Sequence, residues 1–216
     1  MSGDPTAAAI LAAFPCYPVP PSGRSAELEA LRDARTSHGL AIGRDGVMLI
    51  LRRPWLVLDM AVTSPVTAYI PFGSAGSPRA ELRCGLIPRE HYDAILDHFL
   101  SALPNEAGAF ILWNEESGKF AIEFPLIEAA SPSRLVYRPP VVEPGWHLVC
   151  DIHSHGRGAA FFSATDDADD AHSTKLALVL GRLGQSDGPE MAMRLCAGGM
   201  FMPLSRSPFA GDHDAS

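Results

Sequence analysis

The stretch DIHSHGRGAAFFSATDDADD, residues 151–170, decides how this sequence is interpreted. It begins in an apolar run typical of a β-strand, in which alternate side chains point to the same face. His153 and His155 are therefore expected to project together. Ser163 suits a helix N-cap, and Asp166 falls in the first turn of the helix that would follow. Two imidazoles, one carboxylate and an open position form a ligand set used by catalytic zinc, so the spacing predicts a metal site.

Each part of this motif also has a simpler interpretation. A lone His-x-His pair is more often part of an exposed strand edge, and acidic residues favour any helix N-terminus because of the helix dipole. The complete pattern of two histidines, a serine and an aspartate at these spacings rarely arises by chance in a chain of this composition. The joint pattern therefore favours metal binding.

The segments on either side of the motif predict an α+β domain. Residues 88–104 have apolar side chains at the spacing of an amphipathic helix, with Pro88 at its first position and Pro104 at its end. Residues 131–145 are predicted to be a connection, and residues 205–216 a polar, frayed tail. Strands are predicted at 108–113, 119–127, 146–155, 176–183 and 190–204.

The N-terminal part of the chain predicts a small, mostly antiparallel β subdomain over residues 25–85, after a flexible lead-in over residues 1–24. Asp45-Gly46, between two apolar runs, favours a hairpin because glycine readily adopts a positive φ. Pro54 and Pro65 favour edge strands, since proline cannot donate to the ladder. A short helix at 26–34 and further strands at 66–72 and 80–86 complete the predicted subdomain.

The composition excludes several classes of protein. The chain has 216 residues, of which 47% are hydrophobic, and a net charge of −8, which fits a globular protein without a basic face for nucleic acid. Four scattered cysteines without a CxxC pair favour neither a disulfide scaffold nor a cysteine-only zinc site, and they fit a cytoplasmic protein. Because no apolar run approaches the length of about 20 residues that spans a bilayer, we expect no membrane segment.

The stretch HSHGRGAAFFSATD, residues 153–166, resembles the metal signature of the JAMM (JAB1/MPN/Mov34, MPN+) zinc metalloprotease family at every fixed position. The similarity extends over residues 86–204, which would form the catalytic domain. AFFSATDDADD, together with the N-terminal sheet, resembles the bacterial PRTRC system protein A branch, named for ParB-related and ThiF-related members of its cassettes. The resemblance implies a JAMM/MPN-type α/β (α+β) fold, with a curved mixed sheet flanked by helices.

The same resemblance implies roles for individual residues. His153, His155 and Asp166 would bind Zn²⁺ with water as the fourth ligand, and Ser163 would stabilise the oxyanion. Glu106, where the long helix gives way to a strand, would be the general base.

The family usually has a glycine three residues after that glutamate. This chain has Ala109 there and Gly108 one residue earlier, which departs from the pattern. Glu123, in a predicted strand, and Glu81, before the helix, are the alternative bases.

The implied activity is that of a metallo-isopeptidase or peptidase that hydrolyses an amide bond after the C-terminal tail of a ubiquitin-like protein. An E1-like, ThiF-type protein from the same cassette would be a possible partner. The segments from Glu106 to His153 and from Asp166 to Leu204 are compact, which favours a flexible tail over a polyubiquitin chain as substrate.

Other hypotheses remain open beside this one. The chain could be a zinc hydrolase for a small amide or a sulfur-carrier thiocarboxylate adduct, or a binding module without catalysis. Family members that serve as scaffolds lose their metal ligands, whereas this chain retains them. A thiol mechanism is disfavoured because Cys150 and His147, three residues apart in a predicted strand, are expected on opposite faces.

Overall fold

The computed structural model describes residues 14–63 and 70–211. The chain divides into two compact units, Met1–Arg83 and Cys84–Ser216. Both are built mainly from β-sheet, and the sheets contain parallel as well as antiparallel pairs, so the predicted α+β class is confirmed. Among the described residues, no helix combines the length and the apolar character needed to cross a membrane.

The N-terminal unit contains a five-stranded sheet and a short helix within its described residues. The sheet order is β1-β2-β3-β4-β5, with β1 parallel to β2 and the remaining neighbours antiparallel. Ser25 caps the helix by accepting a hydrogen bond from Leu28 N. The elements are β1 Cys16–Pro18, α1 Ala26–Asp33, β2 Ser37–Gly43, β3 Gly46–Arg53, β4 Leu56–Ala61 and β5 Arg79–Leu82.

Two details of this unit differ from the predictions, and a third prediction falls on residues outside the described ranges. Residues 16–18, predicted as part of a flexible lead-in, pair with β2, and Val19 beside them is fully buried. Pro54 lies in the turn between β3 and β4, which are interior strands, so the prediction of an edge strand there is wrong. Pro65 and residues 66–69 of the strand predicted at 66–72 lie outside the described residues.

The C-terminal unit is built around a six-stranded mixed sheet in the order β13-β12-β11-β10-β6-β7. The β10–β11 pair is parallel, and the other neighbours are antiparallel. A separate hairpin is formed by β8 and β9. The elements are α2 Arg89–Ala102, β6 Gly108–Asn114, β7 Phe120–Glu123, β8 Ile127–Ser131, β9 Arg134–Tyr137, β10 Trp146–Ser154, α3 Ala164–Asp170, β11 Lys175–Gly181, β12 Glu190–Ala197 and β13 Met200–Pro203.

The long helix α2 forms because its apolar residues fall on one face. Tyr92, Ile95 and Phe99 are buried, at the i, i+3 and i+7 spacing that places them on one stripe. Pro88 is the N-cap rather than the first helical residue, because its ψ of 138° is extended. The helix ends at Ala102, before Leu103 turns into the extended conformation that the residue preceding a proline favours.

The hairpin of β8 and β9 was not predicted. Residues 131–145 were expected to be a connection and 119–127 one strand, but Pro125 separates β7 from β8 and the chain then turns back as β9. The hairpin contacts the segment between α2 and β6, because Glu106 N donates a hydrogen bond to Ser131 O at 2.9 Å. It therefore lies against the segment that carries the predicted general base.

The end of the described chain is packed rather than frayed. Phe209 is 1% exposed, and its ring meets the edge of Tyr92 on α2 at a centroid distance of 5.2 Å. The backbone is held as well, because Ile87 N donates to Pro208 O and Ala210 N donates to Ile87 O. A single aromatic side chain thus anchors a segment whose polar composition had predicted a loose tail.

Candidate metal centre

The central strand β10 presents both predicted histidines on one face. It lies between β6 and β11, and the alternation of the strand directs His153 and His155 to the same side. Their Nε2 atoms are 3.3 Å apart. Ser154 between them points into the opposite layer and is fully buried.

The helix α3 supplies the predicted carboxylate through a capping box. Ser163 is the N-cap: its Oγ accepts from Asp166 N at 3.3 Å, while Ser163 N donates to Asp166 Oδ2 at 2.6 Å. The second oxygen, Oδ1, lies 3.5 Å from His153 Nε2. One carboxylate oxygen of Asp166 thus caps the helix and the other meets the histidines.

The donor atoms of His153, His155 and Asp166 all lie within 4.8 Å of one another. Tetrahedral zinc with bonds of about 2.0–2.1 Å places its ligands roughly 3.3 Å apart. The separations of 3.3 Å and 3.5 Å that involve His153 fit this geometry. The residues present are therefore suited to a zinc ion without rearrangement of these two pairs.

The surroundings of each histidine favour a ring nitrogen with a free lone pair. His155 Nδ1 lies 3.0 Å from Ala159 O, so the proton of the neutral ring resides on Nδ1 and Nε2 is left free. Burial lowers the pKa of His153, and although the Asp166 carboxylate opposes this effect, the pKa remains below its ordinary value. The neutral, ligating form of His153 is thereby favoured near pH 7.

Glu106 reaches the same region from the segment between α2 and β6. It lines one cleft of about 360 Å³ together with His153, His155 and Asp166. Burial raises the pKa of Glu106, and the Asp166 carboxylate adds to this effect, while His155 opposes it. A carboxylate with a raised pKa binds a proton more readily than a free one, as a general base requires.

The cleft has two walls. One is the tip and second strand of the hairpin, from Pro132 to Tyr137, and the other is the loop at Gly158–Ala159 with Phe161. Phe161 is 55% exposed and meets the His155 ring edge-on at a centroid distance of 4.7 Å. The hairpin wall was not predicted, although the run Leu135-Val136-Tyr137, with a β-branched and an aromatic residue between two turn-forming segments, indicated a strand.

Comparison with known families decides the membership of the chain. Residues 88–196, slightly more than half of its length, match the profile of the prokaryotic homologs of the JAB domain. The chain belongs to this JAB-domain family. Residues 4–83 match a second profile, a domain of unknown function, DUF2016. The predicted JAMM family is confirmed at this level, while the PRTRC branch stays a prediction.

Two solved structures resemble the chain. Protein DSY2949 of Desulfitobacterium hafniense has a TM-score of 0.41 and 17% identity, over 60% of this chain and 97% of that one. AF2198, a JAB1/MPN domain protein from Archaeoglobus fulgidus, has a TM-score of 0.37 and 17% identity, over 57% of this chain and 95% of that one. No curated protein matches the chain significantly.

Neither of the two alternative bases is among the described residues that line the cleft of the JAB domain. Glu123, in β7, lines a different groove with Ala121 and Trp146. Glu81, in β5 of the N-terminal unit, is paired with Arg79 on the protein surface. Of the three glutamates, Glu106 is the one that the structure brings beside the histidines.

The departure from the family pattern after Glu106 has a structural context. Gly108 pairs in register with His153, and a Cβ atom there would meet Leu135 and Pro125 at 3.4 Å. Ala109, one residue later, is fully buried. Gly108 on β6 is thus the direct partner of the predicted ligand His153 on the neighbouring strand β10.

The thiol hypothesis fails, though for a different reason than the one predicted. The pairing of β10 with β6 shifts by one residue between Leu148 and Cys150, so His147 pairs with Trp113 and Cys150 pairs with Ile111. Trp113 and Ile111 are two residues apart on β6 and therefore point to the same face. His147 and Cys150 therefore share a face, and the prediction of opposite faces is wrong. Burial raises the pKa of the fully buried Cys150 thiol, and His147 Nε2 lies 2.9 Å from Glu115 Oε2.

Sequence analysis missed the buried charges beneath the metal centre of the JAB domain. Asp151, Asp170, Lys175 and Arg194 are all at least 91% buried. The one available indication was that Asp151 and Arg194 interrupt apolar strands, where an ionised group must find a partner. Their partners lie on other elements and could not be identified from spacing.

Proposed function

We propose that this JAB domain is a zinc-dependent metallo-isopeptidase or peptidase that cleaves the amide bond after the C-terminal tail of a ubiquitin-like protein. The observation that carries the proposal is the group of three donors, His153, His155 and Asp166, whose ligand atoms lie within 4.8 Å of one another and in two of the three pairs at a separation that suits zinc. Glu106 lines the cleft onto which these donors open. Catalytic zinc sites use this combination of three protein ligands and an open position.

The side chains of the cleft have complementary tasks in such a reaction. When bound, Zn²⁺ would lower the pKa of a water molecule to about 7 and polarise the scissile carbonyl. Glu106 accepts the proton of the attacking water and returns it to the departing amine. Ser163 Oγ accepts from Asp166 N, so its own hydrogen stays available to donate to the developing oxyanion.

The lining of the cleft supports an extended tail as substrate. Both the hairpin of β8 and β9 and the loop that carries Phe161 line it beside the histidines. The exposed Phe161 ring offers an apolar surface beside His155 to a bound chain. A C-terminal tail held between the two walls would place its last amide bond beside Glu106.

The biological setting belongs to the same proposal. We place the chain in the PRTRC system protein A branch, with an E1-like, ThiF-type protein as a partner. Its four cysteines are free thiols, and Cys150 and Cys196 are buried, which fits a reducing cytoplasm.

A second candidate is a zinc hydrolase for a small amide or a sulfur-carrier thiocarboxylate adduct. The cleft volume of about 360 Å³ favours it, because sites for small molecules begin near roughly 300 Å³. The same residues would perform the hydrolysis, so the two candidates differ in substrate alone.

Zinc analysis and cleavage assays on the full chain test the proposal. We expect about one zinc per chain in the wild type. Asp166→Asn should lose the zinc while its amide oxygen still caps α3, and Asp169→Asn, the same change on the same helix, should keep it. A wild-type chain that binds no zinc would contradict the proposal.

The cleavage assay uses a ubiquitin-like protein whose tail is joined by an amide bond to a reporter. Glu106→Gln should keep zinc and lose cleavage, and Glu123→Gln should retain both. Full activity of Glu106→Gln would assign the base to another carboxylate. Hydrolysis of a short amide but not of the fusion would favour the small-molecule candidate, and no hydrolysis of either would favour a binding module.

A further inference from the structure

Two buried cations lie beneath α3, on the face of the sheet that carries the histidines. Lys175 belongs to β11 and Arg194 to β12, and their side chains are 10% and 6% exposed. Arg194 pairs in register with Ala177, which in turn pairs with Asp151. Because paired residues point to one side, Arg194 shares a face with Asp151 and, two residues on, with His153.

Arg194 forms ion pairs with two carboxylates of α3. Its Nη2 lies 2.7 Å from Asp170 Oδ2, and its Nη1 contacts Asp167 Oδ1. Residues three apart on a helix are neighbours on one face, so the guanidinium spans one turn. The fork of donors on a planar guanidinium restrains direction as well as distance.

Two aromatic rings hold the guanidinium itself in place. The ring centroids of Phe162 and Phe201 lie 3.8 Å and 4.0 Å from Arg194 Cζ. Phe162 directly precedes the N-cap Ser163, and Phe201 belongs to β13. The start of α3 is thus linked to the sheet by stacking and by ion pairs at once.

Lys175 completes the attachment from the next strand. Its Nζ lies 2.8 Å from Asp170 Oδ1 and also contacts Asp151 Oδ2. Each oxygen of Asp170 therefore meets a different cation. Asp151 also accepts from the Tyr137 hydroxyl at 3.3 Å, which joins the hairpin wall to the same network.

The need for orientation explains why this network is ionic, since apolar residues could stabilise the same region equally well. Removing a charge from water costs several kcal/mol, and buried ion pairs often add no stability over apolar residues of similar size. The helix α3 has 7 residues, too few to be stable without tertiary contacts. Each residue turns a helix by about 100°, so a small rotation of α3 would move Asp166 away from His153.

We propose that Arg194, assisted by Lys175, is a positioning residue for the metal centre. It holds α3 in the rotation at which Asp166 Oδ1 meets His153 Nε2. This inference rests on the proposed zinc site, and it adds residues on β11 and β12 that do not themselves bind the ion.

The test compares Arg194→Lys with the wild type as full, zinc-free chains. Lysine keeps the charge but loses the fork and the stacking. We expect the Kd for Zn²⁺, measured by competition with a chelating dye, to rise about tenfold or more. We also expect the absorption spectrum of the Co²⁺-loaded chain to change, because it reports the ligand geometry rather than stability.

Arg89→Lys is the matched control. Arg89 also contacts a carboxylate, Asp93, at 2.9 Å and an aromatic ring, Tyr92, at 4.7 Å, but on α2. Its Kd and spectrum should equal those of the wild type. A folded Arg194→Lys chain that matches Arg89→Lys would overturn this inference alone, whereas a wild-type chain without zinc affinity would overturn the proposed function with it.

A second pair of variants covers the case in which Arg194→Lys does not fold. Asp167 is 51% exposed, so Asp167→Asn removes a partner of Arg194 without emptying a buried site. Asp169→Asn removes the same charge from the same helix, at a residue that also lines the cleft, and leaves both ion pairs of Arg194 in place. Asp167→Asn should weaken zinc binding more than Asp169→Asn does, and equal effects would contradict the positioning role.

Discussion

Ser154 and Ala107 are joined by two hydrogen bonds, although 47 residues separate them. Ser154 N donates to Ala107 O at 2.9 Å, and Ala107 N donates to Ser154 Oγ at 3.0 Å. The residue between the two histidines thus holds the backbone next to Glu106. Through this contact, one strand determines the positions of both the predicted ligands and the predicted base.

Ser154→Ala should impair the positioning of Glu106 without impairing the predicted zinc ligands. The buried Ala107 N–H would lose its acceptor, which costs roughly 1–3 kcal/mol. Glu106 would be less well placed, so kcat should fall while the Kd for Zn²⁺ changes little. Denaturant unfolding, zinc titration and steady-state kinetics measure the three effects. Ser101→Ala, which removes an exposed hydrogen bond to Asp97 O, should change none of them appreciably.

The N-cap role of Ser163 and its proposed oxyanion role can be distinguished by two substitutions. Ser163→Ala removes both the N-cap and the hydroxyl donor, so it should cost about 1 kcal/mol of stability and lower kcat about 100-fold. Ser163→Asn restores the cap but not the hydroxyl, so stability should recover while kcat stays low. Thermal unfolding and kcat of both variants provide the test, and full activity of Ser163→Asn would exclude an oxyanion role.

The charge of Asp170 predicts a dependence of stability on pH. Burial opposes its ionisation, but hydrogen bonds from Lys175 and Arg194 outweigh burial and hold the pKa below the ordinary value of 3.8. The folded chain therefore binds this proton less readily than the unfolded chain. The resulting stabilisation is complete above the unfolded pKa and is lost as pH falls through the folded pKa.

Asp170→Asn should accordingly lower the free energy of unfolding of the zinc-free chain by about 3 kcal/mol at neutral pH. The difference from the wild type should shrink as the pH falls below about 4. Asp187→Asn, in an exposed pair with Arg182, should change stability by less than about 1 kcal/mol. A difference for Asp170→Asn that is constant with pH would show that its charge does not stabilise the fold.

Gly181 at the end of β11 leaves room for the loop of the cleft. A Cβ atom there would lie 2.5 Å from both Ala160 N and Gly158 O, which are backbone atoms that no rotamer change can move. Gly181→Ala should therefore displace the loop, lower stability by roughly 1–3 kcal/mol and weaken zinc binding through His155. Unfolding and zinc titration measure both effects.

Gly108→Ala is the control for this change, because its Cβ atom would meet nothing closer than 3.4 Å. The free energy of unfolding of Gly108→Ala should stay close to that of the wild type. Equal stability of Gly181→Ala and Gly108→Ala would indicate that the loop accommodates the added methyl group.

The local parts of the site could be predicted because they depend on short periodicities. Strand alternation places His153 and His155 on one face, and a serine N-cap places Asp166 in the first helical turn. The spacing of Tyr92, Ile95 and Phe99 likewise predicts α2. In each case the residues that interact are at most seven apart, so backbone geometry alone brings them together.

The tertiary structure decided which distant residues meet. The bonds between Ser154 and Ala107 and the ion pair of Asp170 with Arg194 join different elements, and the register shift after Leu148 reverses the expected facing of Cys150. Such contacts depend on strand register, bulges and the packing of helices on sheets, which no short spacing specifies. The three predicted ligands could therefore be named from the sequence, whereas the approach of Asp166 to His153, the surroundings of Glu106 and the charges beneath α3 emerged only when the helices and sheet were assembled.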